Sequence, residues 1–365
     1  MANPEHVAVV RKGREAIAEW WHGDRRRRLD LGDAVLRRAR LGRAELRRAF
    51  LRRANLSGAD LEAADLQGAN LKHSMLFDAR LQRVGLYRAK LVMANLALAD
   101  LTGADLRGAD LSNTNLTGAV LTGANLTGAD LFAATLNSTL LEGANLSQAR
   151  LWATSLSDVD VSGATGLSTV NHEAASSIGV DTLIRSFRGA GNNLTPELAT
   201  FFRGAGVPEE LLRDLPRLVA EVKYYSCFVC YGQPDVTFAK KLCQDLEARG
   251  VSCWLYDMDA TVGEPTWGEI GRMRRQADKM VVLCSGQALV RPGMLKEIEE
   301  QIDEGLDKLV PISLDDFWKH PGLKVMRDSR DLKTFLLDRN YADFANLDYE
   351  EALQRLLAGL RRQGG

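Results

Sequence analysis

Residues 99–131 read ADLTGADLRGADLSNTNLTGAVLTGANLTGADL, with a leucine at every fifth position. Outward from this stretch the register holds without a break from Leu31 to Leu156, which makes 26 leucines in succession, and Val161 takes the next slot. Two residues before each slot from Leu36 onward stands a small residue. It is Ala at most positions and otherwise Ser74, Val84, Thr114, Thr139, Thr154 or Val159. Period five fits neither common element. On an α-helix five residues advance a side chain by ~500°, so the leucines would spiral over every face. On a straight strand an odd spacing sends alternate leucines to opposite faces.

One path keeps all the leucines inside: the chain turns a corner every five residues. Four corners close a coil of about twenty residues, and coils stack at the ~4.8 Å inter-strand spacing. A single coil cannot bury its own leucines, so stability comes from stacking, and both ends need caps. The repeats resemble those of the pentapeptide-repeat family, and the unbroken register carries the resemblance over residues 29–165. It implies a right-handed quadrilateral β-helix. Residues 1–28 are the expected helical cap, with Asn3 as N-cap, Pro4 in the first turn, and an apolar side of Val7, Val10, Ile17, Trp20 and Trp21.

The net charge of −1 hides an asymmetry, since residues 1–53 hold fifteen Lys/Arg and seven Asp/Glu, a balance of +8 against −9 for the rest. Arg37, Arg38, Arg40, Arg43, Arg47, Arg48, Arg52 and Arg53 fall at outward slots of the first coils. Some family members mimic DNA with an acidic surface; this end of the chain has the wrong sign for that. Nucleic acid or an anionic surface is the alternative partner here, and a solvated Arg-rich face the plain one.

Hydrophobic content of 45% fits a folded protein. No stretch approaches ~20 consecutive apolar residues, so no membrane span is expected. The opening residues lack a long apolar core and a small-residue cleavage site, so a cytoplasmic location is expected. Cys227, Cys230, Cys243, Cys253 and Cys284 are odd in number and late in the chain, unlike a secreted disulfide framework. Cys227 and Cys230 sit in YYSCFVCY, a strand pattern that points them to opposite faces, so no metal site is expected.

Residues 166–222 lose the register and read as a compact connector with helices near 195–203 and 208–220. From residue 223 the pattern alternates: strands at 224–231, 251–256, 280–284, 308–312 and 334–337, with helices at 235–248, 266–276, 294–304 and 349–361. Such alternation predicts a parallel sheet covered on both faces, with ligands at the carboxyl ends of the strands.

FVCYGQPD (228–235), CWLYDMDATVGEPTW (253–267), VVLCS (281–285), VPISLDDFW (310–318) and YEEALQRLLAGL (349–360) follow one another in order and spacing. Together they resemble the strands, loops and last helix of TIR (Toll/interleukin-receptor) domains, bacterial type, over residues 223–365. The resemblance implies a flavodoxin-like α/β fold and, for many members, cleavage of NAD at the nicotinamide–ribose bond, with NAD as substrate and no bound cofactor. The catalytic glutamate of that family lies twelve residues past the strand-terminal serine. Counting from Ser285 reaches Glu297, although Glu299, Glu300 and Glu304 share its helix. Tyr231, Gly232, Asp235, Trp254, Asp257, Gly263, Trp267 and Ser285 are the candidate substrate-binding residues on the strand-end loops. The family tryptophan four residues before the glutamate is replaced by Gly293. Two readings follow. One is an NAD+ nucleosidase activated by self-assembly, in defence or stress signalling. The other is a non-enzymatic adaptor acting through TIR–TIR contacts. Both imply a homo-oligomer, formed through the TIR domain and the β-helix surfaces.

Overall fold

The computed structural model describes residues 2–21, 27–221, 226–255, 274, 277–316, 319, 325–327, 330–337 and 342–361. The chain divides into two compact units, Met1–Val219 and Ala220–Gly365.

The first unit is the solenoid with its caps. Single parallel bridges join residues before the leucines to their counterparts twenty residues on, in an unbroken series from Asp30–Phe50 to Thr135–Ser155 and again at Asn145–Thr165. This is the register that a corner every five residues requires. The leucines and the small residues two places before them are almost all buried and form one continuous core. Thr114, Thr139 and Thr154 are accepted in the small row because their hydroxyls donate to the carbonyls of Leu91, Leu116 and Leu131, each at 2.9 Å.

The corners have their own chemistry. Asn or Asp before the leucine accepts a bond from the N–H two residues later, as in Asn55 to Ser57 and Asp100 to Thr102. This side-chain mimic of a turn explains why those two residue types recur in the slot. The second residue after the leucine then takes positive φ, at Gly103 (65°) but also at Arg38 (54°) and Arg48 (53°).

Both ends are capped. At the N-terminal end α1 (Pro4–Arg11) and α2 (Arg14–Trp21) follow the expected signals, and the Asn3 side chain accepts from the Glu5 N–H at 2.9 Å. The Trp21 indole donates to the Glu45 carbonyl at 2.8 Å. At the other end the pairing widens, with Arg150 opposite Asn171 and β1 (Ser155–Leu156) beside β2 (Ser177–Ile178). Three helices follow: α3 (Val180–Gly189), α4 (Pro196–Gly204) and α5 (Glu209–Glu221). The first of them lies outside the two expected from sequence. Leu183, Phe187, Phe201, Phe202, Leu212 and Leu215 join the leucine core, so the connecting segment closes the last coil.

Among the described residues the second unit holds a five-stranded parallel sheet. Its strands are β3 (Cys227–Cys230), β4 (Cys253–Leu255), β5 (Lys279–Cys284), β6 (Leu309–Ser313) and, after a small β7–β8 hairpin (Met326–Arg327, Arg330–Asp331), β9 (Ala342–Asp343). The spatial order is β4-β3-β5-β6-β9. Both faces are covered, which is why the strands are apolar throughout. Phe228, Cys230, Val282 and Cys284 face α7 (Pro292–Glu304). Cys227, Val229, Tyr231, Val281 and Leu283 pack with α6 (Val236–Glu247) and α9 (Tyr349–Leu360). The two cysteines of the C-x-x-C spacing therefore lie on opposite faces, and all five cysteines are free.

One expectation is corrected. Residues 334–337 are not a strand but part of the short helix α8 (Lys333–Leu337), and the fifth strand is β9. Asp331 caps the helix by accepting from the Lys333 N–H at 3.0 Å, and the buried Leu332 and Leu336 are four apart, a helical spacing. The expected helix at 266–276 falls mostly outside the described residues.

Candidate active site

The order β4-β3-β5 means that chain direction across the sheet reverses between β3 and β5. In sheets of this kind a crevice opens there, at the carboxyl ends of the strands. Three strand-end loops meet at this point. Ser285, just past β5, donates its hydroxyl to the Asp235 carboxylate of the β3 loop at 2.7 Å and accepts from the Ala288 N–H at 3.1 Å. The Gly286 N–H donates to the Asp315 carboxylate beyond β6 at 3.1 Å. Burial raises the Asp235 carboxyl above its ordinary range, opposed by the Ser285 bond. Ser285 and Asp235 therefore fix the loops to each other.

Glu297 reaches the same end of the sheet from α7. Pro292 sets the first turn of the helix. Met294 and Ile298 bury its inner face against the strands, and Glu297 falls between them. Its side chain is hydrogen-bonded to the Cys230 thiol, on the last residue of β3. The residue is 4% exposed, and its Oε1 atom has no hydrogen-bond partner among the described residues. Desolvation dominates and pushes the carboxyl up to about 7, while the Cys230 bond and the Arg274 charge pull the other way. Arg274 is fully buried and donates to Gln301 at 3.3 Å and to Glu300 at 3.2 Å. A carboxylate in such surroundings favours any positive charge that develops beside it.

The other candidates are placed as follows. Tyr231 is buried on the α6 face, across the sheet from Glu297. Gly232 lies where a Cβ would meet the Cα and Cβ of Ala288 at 2.8 Å, so the close approach it permits is between two loops of this chain. Trp254 is half-buried on the α7 side of the sheet, the side that holds Glu297. Asp257, Gly263 and Trp267 lie outside the described residues.

Residues 227–357 match the family described as TIR domain. Residues 54–92, 94–131 and 134–165 match eight copies of the family described as pentapeptide repeats. The chain is a pentapeptide-repeat protein with a C-terminal TIR domain. Among solved structures it is similar to HetL, a pentapeptide repeat protein involved in heterocyst differentiation regulation from the cyanobacterium Nostoc sp. strain PCC 7120. The identity is 30%, over 42% of this chain and 75% of that one, with a TM-score of 0.28. It is also similar to a pentapeptide repeat protein of the Arabidopsis thaliana thylakoid lumen, at 37% identity over 24% of this chain and 60% of that one, with a TM-score of 0.23. No curated protein matches the chain.

Within the TIR domain, sequence reasoning passed over Arg274 and Asp315. Arg274 is one of three arginines in RMRR (272–275), and nothing in that run marks the buried one. Asp315 stands beside Asp316 in SLDD, equally unmarked. Cys230 was legible as a buried thiol but not as the partner of Glu297.

Proposed function

We propose that the TIR domain is an NAD glycohydrolase. Nicotinamide leaves C1′ of the ribose with the bonding electron pair, positive charge develops on the ribose, and water completes the exchange. The products are nicotinamide, ADP-ribose and a proton. Glu297 is the residue that stabilises the oxocarbenium-like centre, as carboxylates do in glycoside hydrolysis. The observation that carries the reading is its carboxylate, buried against the end of β3 with one oxygen lacking a partner among the described residues. Ser285 and Asp235 position the loops around it, and Trp254 offers an aromatic face on the same side of the sheet. The 4% exposure of Glu297 in a single chain supports activation by self-assembly, with domain packing opening the way to the carboxylate. A cytoplasmic role in bacterial defence or stress signalling, and a right-handed quadrilateral form for the solenoid, follow from the family resemblances.

The test is nicotinamide release from NAD by the wild type, Glu297→Ala and Glu297→Gln. Both variants are expected to lose about 100- to 1,000-fold in rate while staying folded. Full activity in either removes the assignment. Gly293, in place of the family tryptophan, favours the adaptor reading. That reading predicts self-association with no NAD loss at any protein concentration.

A further inference from the structure

At the opposite end of the chain, a cleft of about 370 Å³ opens between the end of α1 and the first coil. Arg11, Lys12, Arg37, Arg38 and Arg40 line it, and no carboxylate does among the described residues. Arg11 is held in place by donating to the Val35 carbonyl at 3.3 Å. Arg38 senses a charge partner in Asp78, two coils along. Among the described residues Arg37 and Arg40 have no ion pair, and neither do Arg43, Arg48 and Arg52. Further along the solenoid Arg80, Arg83, Arg107 and Arg150 are paired with carboxylates, whereas Lys72, Arg88 and Lys90 have no ion pair among the described residues. Arg37 and Arg40 thus bring unmatched charge to the cleft itself, while Arg43, Arg48 and Arg52 lie outside its lining.

We propose that this cleft binds the phosphates of a nucleotide or oligonucleotide. Guanidinium forks suit phosphate oxygens, and the volume lies within the roughly 300–1,000 Å³ typical of ligand pockets. No aromatic side chain lines the cleft among the described residues, so the phosphates and not the bases are recognised. A bilayer is disfavoured by the distribution of charge. Arg37, Arg43, Arg48 and Arg52 follow Leu36, Leu41, Leu46 and Leu51, on successive sides of one coil, whereas a flat membrane meets one side.

The test titrates the full chain with tripolyphosphate, with a fluorescent oligodeoxythymidylate and with anionic vesicles, at several salt concentrations. The expected result is saturable binding of a phosphate probe that weakens steeply with salt. The Arg37→Gln/Arg38→Gln/Arg40→Gln variant then loses about tenfold or more in affinity and has a shallower salt slope. The Arg43→Gln/Arg48→Gln/Arg52→Gln variant, with the same loss of charge, keeps most of the affinity. Tripolyphosphate binding alone assigns a small nucleotide phosphate; oligonucleotide binding displaced by tripolyphosphate assigns a nucleic-acid chain. No binding of either at low salt, equal weakening in both variants, or binding of vesicles alone overturns the proposal.

Discussion

At Glu297 two effects oppose each other: burial favours the neutral acid, whereas the Cys230 bond and the Arg274 charge favour the anion. Burial wins and leaves the group titrating at about 7 instead of its ordinary 4.5. Only the anion stabilises positive charge on the ribose, so turnover is expected to rise with pH through about 7, read as kcat/KM against pH. A flat profile across that range contradicts the assignment. The same shift couples folding to pH. Between 4.5 and about 7 the folded state holds the proton that the unfolded state has lost, so stability falls as pH rises through that window. The loss is about 3 kcal/mol for this one group. Urea melts of Glu297→Gln should lack this component of the slope, and a slope identical to the wild type's rules it out. Glu297 is a candidate from sequence because the count of twelve from Ser285 that the family resemblance implies reaches it. Its environment is not legible there, because Arg274 and Cys230 come from segments whose convergence no local pattern encodes.

At the scale of elements, each coil depends on its inward leucines. Leu101→Ala removes a fully buried side chain from a continuous stack and should cost about 3 kcal/mol, measured by thermal denaturation. A loss under about 1 kcal/mol would mean that neighbouring coils collapse into the gap. The corner at Arg48 behaves in the opposite way. Its φ of 53° disfavours a side chain, so Arg48→Gly should stabilise the solenoid by about 1 kcal/mol. In the TIR domain Gly232→Ala drives a methyl into the Ala288 backbone and should destabilise that domain by about 1–3 kcal/mol. The solenoid was readable residue by residue because period five admits one solution. The TIR strands were readable as apolar runs between helical patterns. The run TFLL (334–337) was not, because a four-residue apolar segment has no period. The Asp331 cap and the 332/336 spacing decide for helix.

At the scale of the whole molecule the two units carry different chemistry. The first gathers unmatched cations at one end of a rigid stack, and the second holds a buried carboxylate at the switch point of a parallel sheet. In the sequence the repeat register and the βα alternation do not overlap. The charge balance also marks the basic end, but the cleft there depends on where α1 ends against the first coil, which no repeat pattern specifies. The proposed function has the TIR domain consume NAD through Glu297 once chains assemble. Its most direct test is nicotinamide release over a wide range of protein concentration, with Glu297→Ala alongside. Turnover is expected to rise more than linearly with concentration and to vanish in the variant. Absence of turnover at every concentration, or turnover that survives the substitution, contradicts it.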